Sequence, residues 1–204
     1  MNKNSRLTSP IGVAEWPKLQ EPDTRFDEVG VYSVDLRVPK AKAKDFIAKV
    51  NAIHKEAVAE YTNGKAMPKV APLPVYVVED DEGNKTNEVK IRFKVKSKIT
   101  SRKTGQTWER KPKLFDAKGA VYQGEDIIGS GSKLRVSAEV YAWKSSFGVG
   151  VSLQPIAVQI LDLVPFTGAG GSADSFGFDV EEGFETESFE SFEDDNNTGD
   201  EDDF

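Results

Sequence analysis

The sequence contains no cysteine and only one histidine, His54. The chain therefore cannot form disulfides or thiolate metal sites, and a catalytic triad or a zinc site would have to depend on His54. Because His54 lies within a helical pattern, we interpret it as an ordinary helix residue. These absences disfavour an enzyme, and we expect neither a bound metal ion nor a cofactor.

Long apolar runs are also absent. No stretch of about eighteen apolar residues occurs, so the sequence predicts no membrane span. The first ten residues include basic side chains but no apolar segment behind them, so no secretory signal is visible. Together with the lack of cysteine, this favours a cytoplasmic protein.

The two ends of the chain differ strongly in charge. The tail, residues 167–204, contains 14 acidic residues and no basic residue, which leaves 27 basic against 20 acidic residues in residues 1–166. A glycine-rich linker follows the last predicted strand near Val164-Pro165. We therefore predict a folded basic domain over residues 1–166 and a disordered acidic tail over residues 167–204, an arrangement typical of nucleic-acid-binding proteins.

The body reads mainly as β-structure. Residues 1–28 are interpreted as irregular, and one amphipathic helix is predicted from Ala41 to Tyr61. The remaining patterns predict about five strands, with a β-bulge expected at Pro155. The clearest strands are Gly30–Val38, Glu88–Ile99, Lys133–Lys144 and Val149–Val164. Val75–Val78 is a short apolar run, and a turn at Thr104-Gly105 brings the chain back through Trp108 towards Phe115. Five strands with one helix suggest an OB-fold barrel, the small barrel most associated with single-stranded nucleic acid.

The strand from Glu88 to Ile99 carries the main functional signal. Apolar residues alternate with five cations, so one face should enter the core while the other presents a row of bases about 6.6 Å apart. Such a row can follow an extended nucleic-acid backbone, and exposed aromatic rings can stack the bases. The candidate DNA-binding residues of the body are Trp16, Lys90, Arg92, Lys94, Lys96, Lys98, Trp108, Arg110, Lys111, Arg135, Tyr141, Trp143 and Lys144.

Each of these candidates has a structural alternative. The basic strand face could simply be solvated, although 11 bases against two acids between Lys90 and Lys118 disfavour this. Trp143 could be a core residue, but its position opposite Val140 and Ala142 in the alternation favours the outer face. Trp16 could merely cover one end of the barrel. The face that Trp108 occupies stays open.

The tail contains six of the twelve phenylalanines, including the last residue. Aromatic rings among carboxylates favour protein contacts over a simple solubility role, which is the alternative. A tethered polyanion can also compete with DNA for the basic groove at high effective concentration. A partner pocket with a basic rim and an apolar floor would suit the end of the chain. The candidate partner-binding residues are Asp200, Glu201, Asp202, Asp203 and Phe204.

Several short segments occur in an order that resembles a known family. They are Gly30-Val31-Tyr32, Val34-Asp35-Leu36 with Pro39, the helix that follows, Ile127-Ile128-Gly129-Ser130-Gly131-Ser132-Lys133-Leu134, and the terminal Asp203-Phe204. With these segments the chain resembles the replication single-stranded DNA-binding proteins of tailed bacteriophages, in particular the T-odd coliphage type.

This resemblance implies an OB-fold, a homodimer, and a tail that contacts the phage DNA polymerase and the helicase/primase. It implies a role in phage DNA replication, recombination and repair in the cytoplasm of the infected bacterial host. By position, Lys94 and Trp143 match a basic and an aromatic DNA-contacting residue, and Lys3 matches a basic N-terminal one. Lys96 stands where the family leads us to expect an aromatic residue.

Three other functional classes stay open from the residues alone. An adaptor would use the tail to recruit partners and the basic body to bind an acidic protein. An RNA-binding OB-fold protein would use the same phosphate tracking and stacking. A nuclease would need clustered carboxylates for metal ions, and no such cluster is identifiable outside the tail.

Overall fold

The computed structural model describes residues 5–62, 69–101, 103–146 and 148–168, all within one compact unit of residues 1–169. The strands are β1 (Ser5–Thr8), β2 (Gly12–Asp23), β3 (Val31–Pro39), β4 (Val75–Glu79), β5 (Lys85–Lys96), β6 (Lys98–Thr100), β7 (Thr107–Glu109), β8 (Lys113–Phe115), β9 (Lys133–Ser145) and β10 (Gly148–Asp162). One helix, α1 (Lys40–Thr62), follows β3 directly.

Five of these strands close into a ring. Hydrogen bonding runs in the order β9, β2, β3, β5 and β10, and β10 pairs with β9 to complete the circuit. All these pairings are antiparallel except β5 with β10, which is parallel and meets at Phe93 and Leu153. The predicted OB-type fold with five main strands and one helix is confirmed.

The interior of the ring follows from the alternation in the sequence. In β3, and in β5 from Val89 onwards, every second side chain is buried, and β9 repeats this pattern as far as Val140. Helix α1 adds side chains at helical spacing, among them Ala43, Phe46 and Val50. The rings of Phe46 and Phe93 lie 6.3 Å apart between their centroids, which places the helix against the ring of strands. No helix in the described residues is long and apolar enough to cross a membrane.

The interpretation of residues 1–28 as irregular was wrong, because β1 and β2 lie there and β2 is a strand of the ring. The alternation in β2 is broken by Pro17 and Pro22, and its register with β3 shifts twice, between Glu15 and Lys18 and between Lys18 and Asp23. Proline removes a ladder hydrogen bond, and each shift moves side chains to the other face. The segment Val75–Val78 is a strand, but it lies outside the ring and pairs only with β5.

The register between β9 and β10 shifts between Pro155 and Ala157, which confirms the bulge expected at Pro155. The long strand predicted to Ile99 ends at Lys96, and Lys98 begins β6 in a separate two-stranded sheet. The domain boundary after residue 166 stays a prediction, since residues 169–204 lie outside the described part.

Candidate nucleic-acid interface

The predicted basic row lies on the outer face of β5, as the alternation requires. Val89, Ile91, Phe93 and Val95 are buried between the cations. Lys90 is half-buried, whereas Arg92, Lys94 and Lys96 are exposed, and Lys98 continues the row on β6. The five cations therefore occupy one side of a nearly continuous extended segment.

Acidic residues on neighbouring segments neutralise most of this row. Arg92 donates from Nε and Nη2 to the carboxylate of Asp35, at 2.9 and 2.7 Å. The other ion pairs are Lys90 with Glu15, Lys96 with Asp27 and Lys98 with Glu109. Lys94 lies opposite Ser33 in the ladder between β3 and β5, and the described residues provide it with no ion pair. The count of acids between Lys90 and Lys118 included Glu109, but it could not reveal Glu15, Asp27 and Asp35, which come from β2, β3 and the loop between them.

Arg92 is held on two sides. Besides its ion pair with Asp35, its guanidinium lies 5.2 Å from the centroid of the Tyr76 ring on β4. The hydrogen bonds that Arg92 donates to the Asp35 carboxylate raise the pKa of Arg92. Because Asp35 and the ring of Tyr76 hold the Arg92 guanidinium in place, it is less available than the Lys94 ammonium group to bind a phosphate.

Lys94 lines a groove with a volume of about 320 Å³, which we call the Lys94 groove. Two exposed aromatic side chains border it, Trp16 at 78% and Phe26 at 94% exposure. The remaining lining residues are Glu15, Asp23, Asp27, Val31, Ser33, Asp35 and Arg92. Within the part of the chain that the structure describes, the groove thus combines one cation without an ion pair with two exposed aromatic rings.

The backbone explains why Trp16 is exposed. Its φ is 49°, in the left-handed region that side-chain-bearing residues seldom adopt, at the first register shift of β2. The Trp16 amide donates to Oγ of Ser130 at 3.0 Å. Ser130 belongs to the Gly129–Ser132 loop, in which Gly131 donates from its amide to the carbonyl of Ala14. These two hydrogen bonds attach β2 to the loop and hold the Trp16 backbone in place at the Lys94 groove.

Phe26 was missed by the sequence reasoning. It lies in the turn after β2, where Arg25 donates to both carboxylate oxygens of Asp23 and lies 5.8 Å from the centre of the Phe26 ring. The hydrogen bond from Arg25 is the largest cause that lowers the pKa of Asp23 to about 2. An aromatic residue between charged residues in a turn was the available signal, and the interpretation of this segment as irregular hid it.

A second groove, the Lys98 groove, lies farther along the row and has a volume of about 420 Å³. It is lined by Glu28, Val29, Lys96, Lys98, Ile99, Thr100 and Thr107. Strands β6 and β7 form its hairpin side, and Trp108 pairs with Ile99 across that hairpin. Because side chains alternate between strand faces, Trp108 lies on the face opposite Lys98, which answers the question that the sequence left open.

Of the candidates on β9, Arg135, Tyr141 and Trp143 alternate with the buried residues and lie on the outer face, as predicted, whereas Lys144 has the parity of Val140 and Ala142. Tyr141 is 42% exposed. Trp143 is half-buried, with its six-membered ring over Gly150. Lys144 donates to the carbonyl of Tyr61 near the end of α1. Arg135 lies six residues before Tyr141, about 20 Å along the strand, so it is remote from the other aromatic and basic candidates of β9.

The remaining candidates lie elsewhere. Arg110 donates to Gln154 on β10 at 2.5 Å, and Lys111 follows it as an exposed residue. Lys3 and the tail residues Asp200, Glu201, Asp202, Asp203 and Phe204 lie outside the described residues. Within the described ranges, no group of three or more histidine, aspartate or glutamate side chains could hold a metal ion.

A closed five-stranded ring with a cation and exposed aromatic rings in one surface groove is typical of single-strand nucleic-acid-binding proteins with an OB-type fold. The profile of the family described as "Single-stranded DNA-binding protein, Bacteriophage T7" matches residues 11–163. The chain belongs to this family. The predicted resemblance is thereby confirmed, and so is the expectation that the chain is not an enzyme, because the family is one of DNA-binding proteins.

Individual relatives agree with this assignment. The chain is 29% identical over 194 residues to the single-stranded DNA-binding protein of Escherichia phage T7, covering 86% of this chain and 82% of the relative. The corresponding protein of Enterobacteria phage T3 is 29% identical over 201 residues, covering 89% and 85%.

Solved structures show the same fold. The crystal structure of gp2.5, a single-stranded DNA-binding protein encoded by bacteriophage T7, matches with a TM-score of 0.67 and 28% identity, covering 90% of this chain and 99% of that one. The single-stranded DNA-binding protein from bacteriophage Enc34, solved in complex with ssDNA, has a TM-score of 0.59 and 16% identity, covering 80% and 90%. At that identity the second match supports the fold alone.

Proposed function

We propose that this chain binds single-stranded DNA of any sequence through the Lys94 groove. The observation that carries the proposal is Lys94 itself, a cation without an ion pair in the described part, in a groove bordered by exposed Trp16 and Phe26. Lys94 would contact a phosphate, and the two rings would stack bases, each of which contributes about 1–3 kcal/mol. A phosphate and a ring face are common to all nucleotides, so neither contact selects a sequence.

Duplex DNA fits this arrangement poorly, because its bases are already stacked on one another and cannot reach Trp16 or Phe26. The ion pairs around Lys94 add a second constraint. With Arg92 held by Asp35 and Lys96 by Asp27, the row attracts DNA with less charge than its five cations suggest. Binding should therefore depend on the aromatic rings as well as on charge.

The test is a competition assay with the full chain and a labelled unstructured oligonucleotide. Unlabelled single-stranded DNA should displace the label at far lower concentration than duplex DNA of the same sequence. Equal competition by RNA would move the proposal to an RNA-binding OB-fold protein. No retention of any nucleic acid, at low salt and also after removal of the tail, would favour an adaptor instead.

We propose further that the acidic tail competes with DNA for the basic body and recruits proteins of the phage replisome. The charge segregation supports competition, and the terminal carboxylates with Phe204 suit a basic, apolar-floored pocket. The phage DNA polymerase and the helicase/primase are the proposed partners. A chain ending at residue 166 should bind DNA more tightly at low salt and lose co-purification with both partners.

The proposed setting is DNA replication, recombination and repair in the cytoplasm of the infected bacterial host, with the chain acting as a homodimer. Family membership supports the phage setting. Sedimentation of the full chain tests the dimer directly, because a mass of one chain at micromolar concentration would remove it from the proposal.

A further inference from the structure

The Lys98 groove continues the basic row beyond the groove assigned to DNA above. Lys96 and Lys98 line it from β5 and β6, and the hydroxyls of Thr100 and Thr107 lie 2.8 Å apart across the hairpin. Glu28 and Val29 also line it. The groove thus has two cations and two hydroxyl groups, which are the side chains that commonly contact phosphate oxygens.

One ion pair separates the two grooves. Asp27 lines the Lys94 groove and Lys96 lines the Lys98 groove, and Oδ2 of Asp27 lies 2.8 Å from Nζ of Lys96. The turn that carries Asp27 is held in place, since the amides of Gly30 and Ser97 bond to the carbonyls of Asp27 and Gly30. In the free protein Asp27 therefore occupies the position at Lys96 that a phosphate would take.

We propose that the Lys98 groove is a second phosphate-binding subsite for the DNA strand that leaves the Lys94 groove. Asp27 and Glu109 hold its lysines until a phosphodiester displaces them. The inference rests on the proposed function and adds to it the direction of the strand, along β5 towards the β6–β7 hairpin. It also makes Asp27 a determinant of affinity that opposes binding.

Displacement is feasible because the lysines of both ion pairs are accessible. The side chains of Lys96 and Lys98 are 62% and 55% exposed, and the Lys98–Glu109 pair is loose, with 3.7 Å between nitrogen and oxygen. Exposed ion pairs of this kind shift an equilibrium by a factor of about five or less. A phosphate already held close by contacts in the Lys94 groove competes at high effective concentration.

The experiment measures binding of the full-length D27N variant to a long and a short oligothymidylate as salt is varied. The asparagine side chain would keep an oxygen for the Val29 amide, which donates to Asp27 at 3.1 Å, so the turn is retained. With the long oligonucleotide, we expect about two- to fivefold tighter binding. The slope of log affinity against log salt should become steeper by up to about 0.7, the value for one further phosphate contact on a single strand.

Two controls separate a freed Lys96 from a general loss of negative charge. Asp162 supplies the matched variant D162N, because its ion pair with Lys133 is nearly as short as that of Asp27 with Lys96 and the two lysines are similarly exposed. This variant should leave affinity unchanged. In a Lys96→Gln background, Asp27→Asn should no longer strengthen binding. Lys98→Gln should weaken binding to the long oligonucleotide and leave the short one unaffected.

The outcomes are distinct from those of the proposed function. If the unaltered chain binds no single-stranded DNA, the proposed function fails. If the unaltered chain binds DNA but D27N binds it no more tightly, the second subsite is wrong and the Lys94 groove is unaffected. The same conclusion follows if Asp27→Asn strengthens binding equally in the Lys96→Gln background. An equal effect of Lys98→Gln on both oligonucleotide lengths would also overturn the subsite.

Discussion

Lys94 faces Ser33 across the ladder between β3 and β5, whereas Arg92, one step away on the same face, meets Asp35. A hydroxyl opposite a lysine leaves the ammonium group to other ligands, and a carboxylate opposite an arginine occupies it. This difference between two adjacent cross-strand pairs singles out Lys94 from the five cations of the row.

The Ser33–Lys94 pair can be tested from both sides. Lys94→Ala should weaken DNA binding by a similar factor for all sequences, and reduce the salt slope by about 0.7. Ser33→Asp should place a carboxylate opposite Lys94 and produce much of the same loss while Lys94 is still present. Fluorescence anisotropy at several salt concentrations measures both. A loss of affinity that depended strongly on base sequence would contradict contacts with the DNA backbone. The control is Lys118→Ala, which removes a lysine from an exposed turn.

Trp16 should matter for binding and little for folding. Replacement by alanine removes an exposed ring at an unusual backbone conformation, so we expect a loss of about 1–3 kcal/mol in DNA binding free energy. The midpoint of denaturant unfolding should change little, because the ring buries little surface. Trp108→Ala, on the hairpin face opposite Lys98, should weaken binding less. Equal losses for the two tryptophans would move the stacking surface away from the Lys94 groove.

His54 should make stability depend on pH. The imidazole is buried in α1, and burial lowers its pKa below the ordinary value of 6.5. As pH falls through about 6.5 the unfolded chain binds a proton that the folded chain does not, so stability falls until the lower folded pKa is reached. In urea unfolding between about pH 7.5 and pH 5.5, His54→Leu should flatten this dependence. An unchanged slope would show that other groups cause it.

Gly148, at the turn between β9 and β10, should not tolerate a side chain. Its φ is 131°, and a Cβ atom there would lie 1.7 Å from the carbonyl oxygen of Lys69. Gly148→Ala should therefore destabilise the fold by more than about 2 kcal/mol, through backbone strain and displacement of the neighbouring segment. Gly119→Ala is the matched control, since its φ is also positive but nothing lies within 4 Å, and it should cost only about 1 kcal/mol. Similar losses in thermal or urea unfolding would contradict the clash.

The fold was predictable where the alternation is regular. The strands β3, β5, β9 and β10 and the helix α1 bury one face each, so their periods are visible in the sequence. Strand β2 was not predictable in this way, because Pro17, Pro22 and two register shifts remove the period on which the inference depends. The same interruption explains why Phe26 and the shape of the Lys94 groove were missed.

The site was predictable in composition but not in electrostatics. The alternation placed the five cations on one face, and the structure agrees. It could not show that Glu15, Asp27 and Asp35 come to that face from other segments, since cross-strand partners depend on register. The alternation within β9 also predicts which face Trp143 occupies, but it cannot show that Gly150 lies beneath its ring. The roles of these residues in DNA binding stay predictions.

The most direct measurement of the central claim is a tryptophan-fluorescence titration of the full chain with oligothymidylate, repeated with Trp16→Ala and Lys94→Ala. We expect quenching that saturates and weakens with salt, a smaller amplitude for Trp16→Ala, and a lower affinity with a shallower salt slope for Lys94→Ala. Saturable binding with the same amplitude, affinity and salt slope in all three proteins would contradict the Lys94 groove as the DNA-binding site.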